Sequence, residues 1–209
     1  MAITYPLTFP THTGIVAVNI IARNVIGVTA SPFTFAQQVQ KFQGARWEAD
    51  VSLPPMKRDD AEIWIAFFMK LYGVYGSFLL GDPNAATPQG SAATAAGTPV
   101  VNGASQTGNE LTIDGLPASA TGYLKAGDYI QLGSGSTANL HKVLDDVDTN
   151  SSGEATLTIW PDLRSSPADD AAVVVSNAKG VFRLTTSATD WQINNAGFYS
   201  MAFGASEVL

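Results

Sequence analysis

The sequence predicts a mainly β protein with one α-helix: a split β-barrel or sandwich interrupted by a smaller, all-β barrel. Three observations lead there. Several short runs alternate apolar with polar residues between turn residues, the pattern of half-buried strands. One stretch only, Ala61 to Tyr72, repeats instead at three and four residues. The texture of the chain also changes after Asp82-Pro83 and returns to long apolar runs after Gly180.

Ile15 to Val28 is mostly apolar and reads as one or two strands. From Gly44 to Leu53 alternation is unbroken, with Ala45, Trp47, Ala49, Val51 and Leu53 on one side and Arg46, Glu48, Asp50 and Ser52 on the other. Phe33, Phe35 and Val39 show the same period just upstream, so an antiparallel pair turning at Gln43-Gly44 is expected over Pro32 to Leu53. Pro54-Pro55 ends the strand by removing ladder donors. The helix follows, with Ala61, Trp64, Ile65, Phe68, Leu71 and Tyr72 on its apolar face. Asp59, Asp60 and Glu62 complement the dipole in its first turn, and Gly73 stops it. Tyr75, Phe78, Leu79 and Leu80 form a short buried strand ending at the Gly81-Asp82-Pro83 turn.

Residues 84–108 consist almost wholly of Ala, Thr, Gly, Ser, Pro and Gln and hold scarcely a large side chain, so they read as a linker. Residues 109–179 carry strand candidates at Leu111 to Ile113, Tyr129 to Leu132, Leu140 to Val147, Ala155 to Trp160 and Ala172 to Ser176. No helical pattern separates these runs, which favours a small barrel over a βαβ sheet. Val181 to Thr186 and Phe198 to Phe203 are longer strands. Because residues 1–83 alone would make a marginal sheet, residues 180–209 are expected to complete it, giving one discontinuous domain with another inserted.

Composition excludes several functions. The chain has 209 residues, a formal charge of −7 and no run of Lys or Arg, which disfavours specific nucleic-acid binding. There is no Cys, hence no disulfide framework and no thiolate metal site. No stretch reaches the roughly 20 apolar residues of a membrane helix. The amino terminus has neither a basic region nor a long apolar core, so synthesis in the cytoplasm without membrane insertion is expected.

Chemistry-bearing constellations are sparse. His12 and His141 are the two histidines, and both read as surface or edge residues without a partner. Asp145, Asp146 and Asp148 with Asn150 and Ser152 superficially match a calcium loop, but glycine is missing at the sixth position and glutamate at the twelfth, leaving a solvated hairpin. Asp169-Asp170 reads as a turn. A cell-wall hydrolase would have to use Glu154, Asp162 or His141, and no spacing supports that, so neither catalysis nor a cofactor is expected. Tyr123, Tyr129 and Trp160 could stack on sugar rings, although packing explains them equally well.

The segments Leu53-Pro54-Pro55-Met56, Ala61 to Phe68 and Gly73 to Pro83 resemble tail proteins of siphophages and related prophages. Tyr123 to Gly133 and Ile159-Trp160-Pro161 through Leu163-Arg164 resemble the barrel inserted in that group, and Gly180 to Leu184 with Phe203 to Val208 its terminal part. The resemblance implies a distal or minor tail protein at the hub or tip. Its tail-tube-like split barrel forms a ring, sixfold by analogy, that joins the tail tube to the tip or baseplate, while the inserted domain projects outward. Acidity would suit a ring around passing DNA. The rival expectation is a module binding a host-surface glycan or protein.

Overall fold

The computed structural model describes residues 3–10 and 14–209, and His12 lies outside them. The fold is mainly β with one long helix. Its first sheet contains five strands: β1 (Ala17–Ala30), β2 (Gln37–Ser52), β3 (Phe78–Leu80), and two from the end of the chain, Gly180–Leu184 and Ala202–Glu207. The barrel comes between them, as β4 (Val100–Val101), β5 (Gly108–Asp114), β6 (Tyr129–Leu132), β7 (Asn139–Val143), β8 (Ala155–Leu163) and β9 (Val173–Val174). In chain order, β10 is Gly180–Leu184, β11 Gln192–Ile193, β12 Tyr199–Ser200 and β13 Ala202–Glu207.

The first sheet runs β1-β2-β13-β10-β3, so strands from both ends of the chain interleave. Alternation dictates which face is buried: Trp47, Ala49, Val51 and Leu53 all point inward as expected. Helix α1 (Arg58–Leu71) covers that face with Ala61, Trp64, Ile65, Phe67, Phe68 and Leu71. It ends where Tyr72 and then Gly73 turn left-handed, at φ of 51° and 66°. A Cβ on Gly73 would sit 2.6 Å from the Ser187 backbone, so glycine is required there for two reasons. Tyr72, expected on the apolar face, is instead the exposed cap.

Several expectations need correction. The hairpin turn lies at 31–36 rather than at Gln43-Gly44, and β2 pairs with β1 along nearly its whole length. Register slips between Arg23↔Arg46 and Val25↔Phe42, so Gln43, Gly44 and Ala45 form a bulge opposite Asn24. Tyr75 is exposed and precedes β3. The run Phe198 to Phe203 breaks at Met201, which is buried, into β12 and β13.

The six-stranded sheet runs β4-β5-β8-β7-β6-β9, and a bridge between Val100 and Ala172 brings its last strand back toward its first, nearly closing a barrel. Leu111, Ile113, Leu124, Ile130, Val143, Leu157 and Ile159 are fully buried in its core. Residues 84–108, read as a linker, belong to this barrel: Ala92 and Val101 are in its core, and Ser91–Ala93 form a 3-10 turn. The order comes from backbone hydrogen bonds rather than large side chains. Ser91 N–H donates to Gly122 O, Ala92 N–H to Tyr123 O and Thr98 N–H to Gly115 O. The Gln106 amide donates to the carbonyls of Asn102, Gly103 and Thr112 and accepts from Thr112 N–H. Small residues permit such close approach; a Cβ on Gly90 would lie 2.2 Å from Tyr123 O. Strand β8 also runs past Trp160, expected at its end, through Pro161, which sits where the register against β5 shifts.

The barrel packs against the first sheet. Tyr129, Leu140 and Ala178 share one core with Trp47, Leu80 and Phe182. Arg164, just past β8, forks onto Glu207 of β13 at 2.6 and 3.1 Å, and Glu207 Oε2 also accepts Trp47 N–H.

Candidate assembly interface

The feature with no role in the fold is the far half of the β1–β2 hairpin. Every residue from Ala22 to Gln43 is exposed except Gly27 and Ser31, which are half-buried. At about 3.3 Å per residue, the six paired residues beyond the bulge, Val25 to Ala30, extend the ribbon roughly 20 Å. Both faces are apolar: Val25, Ile26, Val28, Val39 and Phe42 are all exposed. At the tip, Phe33 and Phe35 are 91% and 80% exposed.

The tip is nonetheless well formed. Ser31 N–H donates to Ala36 O, Phe35 N–H donates to Ser31 O, and the Ser31 hydroxyl accepts from Phe33 and Thr34. Phe35 adopts φ of 55°, a conformation that costs a non-glycine residue energy and here turns its ring out to solvent. Residues 24–45 include one lysine and no carboxylate, in a chain of net charge −7. An exposed apolar ribbon of this kind marks an interaction surface.

Both long edges of the ribbon are open. Among the described residues, β1 has no strand partner beyond β2 on one side; on the other, β13 pairs with β2 only as far as Glu48↔Ser206, so residues 37–46 have no strand paired to them there, and only side chains of the barrel reach them, at Lys41 and Ala45. The opposite edge of the whole sheet, at β3, is covered by Leu7, which bridges Phe78 in parallel. Beside the root of β1 lies a cleft of about 800 Å³, walled by Phe9, Ile15, Val18, Trp47, Tyr129 and Lys142.

The residues singled out for stacking do not make a platform. Tyr123 is fully buried in the barrel with its hydroxyl donating to Ala96 O at 2.6 Å, and burial pushes its pKa up to about 12. Tyr129 is buried under the Lys142 ammonium, which lies 4.5 Å from the ring centre. Trp160 is half-buried, set edge-on to Trp47 at 4.4 Å, with Nε1–H donating to Asn24 Oδ1 at 2.8 Å. The three are dispersed between barrel interior and interface.

Several of the other candidates have structural partners too. Asp146 pairs with Lys125 at 2.8 Å, and this bond holds its carboxyl below the usual range. Asp148 accepts from Gly122 N–H, Asp169 from Gly103 N–H, and Glu154 from the Asn150 side chain. Among the described residues, no three or more His, Asp and Glu gather as a cation site. His141, expected at a surface or edge, is buried in the central strand β7 with Nδ1 2.7 Å from Pro161 O, the geometry of a ring N–H donating to that carbonyl.

Desolvation lowers the His141 pKa below its ordinary 6.5. The unfolded chain therefore takes up a proton near pH 6.5 that the folded state resists, and stability present above that pH is lost as pH falls through it. The urea midpoint is expected to be lower at about pH 5.5 than at about pH 7.5, and His141→Asn should flatten that difference. An equal pH dependence in the variant would rule the histidine out as its source.

No helix among the described residues is long and apolar enough to cross a membrane. No family model matches the chain, and no curated protein is significantly similar to it in sequence.

Proposed function

We propose that the chain is a structural subunit of a bacteriophage tail, of the distal or minor tail-protein kind, made in the host cytoplasm and built into the virion as a closed ring between tube and tip. The observation that carries this reading is the hairpin arm with two open edges and two apolar faces. Because the edges lie on opposite sides of one ribbon, the β2 edge of one copy can add to the β1 edge of the next. Such a head-to-tail contact repeats until it closes, and closure removes the edges that would otherwise recruit strands at random. The arm carries no carboxylate to repel an acidic neighbour. Its apolar tip would pack on the neighbouring copy, with tube and hub or tip proteins above and below the closed ring, and the sequence resemblance to siphophage tail proteins supports that setting. The role asks for no cofactor and no catalytic group.

Sedimentation and native mass measurement of the full chain test this. A closed oligomer is expected, with six copies the number suggested by the tails it resembles. Phe33→Ser with Phe35→Ser should weaken assembly at least about tenfold, since burying each ring is worth about 1.5–3 kcal/mol. A monomer at every concentration, alone or mixed with tube and tip proteins, would remove the reading.

A further inference from the structure

We propose that the barrel acts as a brace that fixes the direction of the hairpin arm, through Trp160, Asp162 and Arg164; the inference rests on the arm being the assembly element. One short segment supplies every tie. Trp160 Nε1–H donates to Asn24 Oδ1 at 2.8 Å, Lys41 Nζ reaches both oxygens of Asp162 at 2.6 and 2.9 Å, and Arg164 Nη2 donates to Ala45 O at 3.0 Å. Asn24 and Ala45 belong to the bulge itself, and Lys41 pairs with Ile26 just beyond it. The ties therefore grip the ribbon where it leaves the sheet, on both of its strands.

These side chains are not needed to fill the barrel. Along β8, Leu157, Ile159 and Leu163 point into the barrel core, whereas Trp160 and Asp162 alternate with them and point the other way. Nor is the Lys41–Asp162 pair needed to dock the barrel on the first sheet, which Glu207, Trp47 and the shared core accomplish. A two-stranded ribbon is by itself marginal and free to bend. A bulge at its root, with Gly44 so close to Val25 that a Cβ would meet Cγ2 at 2.8 Å, sets a local kink but gives no fixed support. Three ties across one root supply it, and an arm held at one angle presents its edges in the orientation a ring requires.

The chain has no Cys, so spin labels can be placed cleanly at Gln38→Cys on the arm and Ser151→Cys on the barrel. With labelled copies diluted in unlabelled protein, the parent should give one narrow distance distribution. Asn24→Ala with Asp162→Ala removes two ties and no core atom, and should broaden it about twofold as the root opens locally. If the assembly-competent direction falls to about a tenth of the population, the apparent dissociation constant rises about tenfold. Asn24→Asp keeps the acceptor for Trp160 and should behave as the parent. A distribution equally narrow in the double variant, or already broad in the parent, overturns the brace. Broadening with assembly unchanged overturns its part in assembly. Failure of the Phe33 and Phe35 substitutions to disturb the oligomer would instead remove the ring reading, and the distance measurement stands apart from it.

Discussion

Arg164→Ala is expected to destabilise the protein by about 3–5 kcal/mol, because it strands a buried carboxylate. The Glu207 side chain is 0% exposed and receives the Arg164 guanidinium on both oxygens. Without the arginine, the donor left to it among the described residues is Trp47 N–H at 3.1 Å, a neutral group that cannot balance a charge. The same guanidinium satisfies Ala45 O and Asn139 Oδ1, so two more acceptors lose a donor. Arg164→Lys should recover only part of the loss, since an ammonium cannot fork onto Glu207 while reaching the other two. The double change Arg164→Met with Glu207→Leu should recover most of it, because a well-packed apolar pair replaces an ion pair at little net cost. Urea unfolding of the four proteins decides the matter. A loss below about 1 kcal/mol in Arg164→Ala would mean that water enters and solvates Glu207.

Much of this architecture is legible in the residues. The period-two run to Leu53 names its buried face correctly, and the spacing of Ala61, Trp64, Ile65, Phe68 and Leu71 finds the helix. What escaped has physical reasons. Val25, Ile26 and Val28 look like core because hydrophobicity implies burial without saying by what; here they stand about half exposed on the arm, 45% to 59%. The signal available was the loss of alternation together with the absence of carboxylates from 24 to 45. Gly44 looks like a turn residue because bulges and turns both favour glycine, and only the pairing partner tells them apart. The segment before Asn109 reads as a linker because its order rests on backbone hydrogen bonds, which leave no trace in side-chain composition. His141 looks peripheral because a lone histidine in an alternating run gives no hint that a proline carbonyl waits beside it.

Trp47 shows how the two halves of the chain are joined, and Trp47→Ala should cost about 3–5 kcal/mol for the cavity alone. The ring is 4% exposed, stands edge-on to Trp160 at 4.4 Å and lies 5.8 Å from Tyr129, so it packs against barrel residues from a strand of the first sheet. Its Nε1–H donates to Leu140 O at 2.9 Å, and the substitution leaves that buried carbonyl short of a donor, adding about 1–3 kcal/mol. Trp47→Phe keeps most of the volume and loses the hydrogen bond, so it should cost only about 1–3 kcal/mol. The two variants thus separate filling from bonding. Because the ring sits in a core that the sheet and the barrel share, its removal weakens their coupling more than it weakens either core. Calorimetry should show one transition in the parent and, in Trp47→Ala, a split into two as cooperativity between the units fails. A single transition shifted to lower temperature would show that the remaining shared contacts, Leu140 and Phe182 foremost, couple the units without the tryptophan.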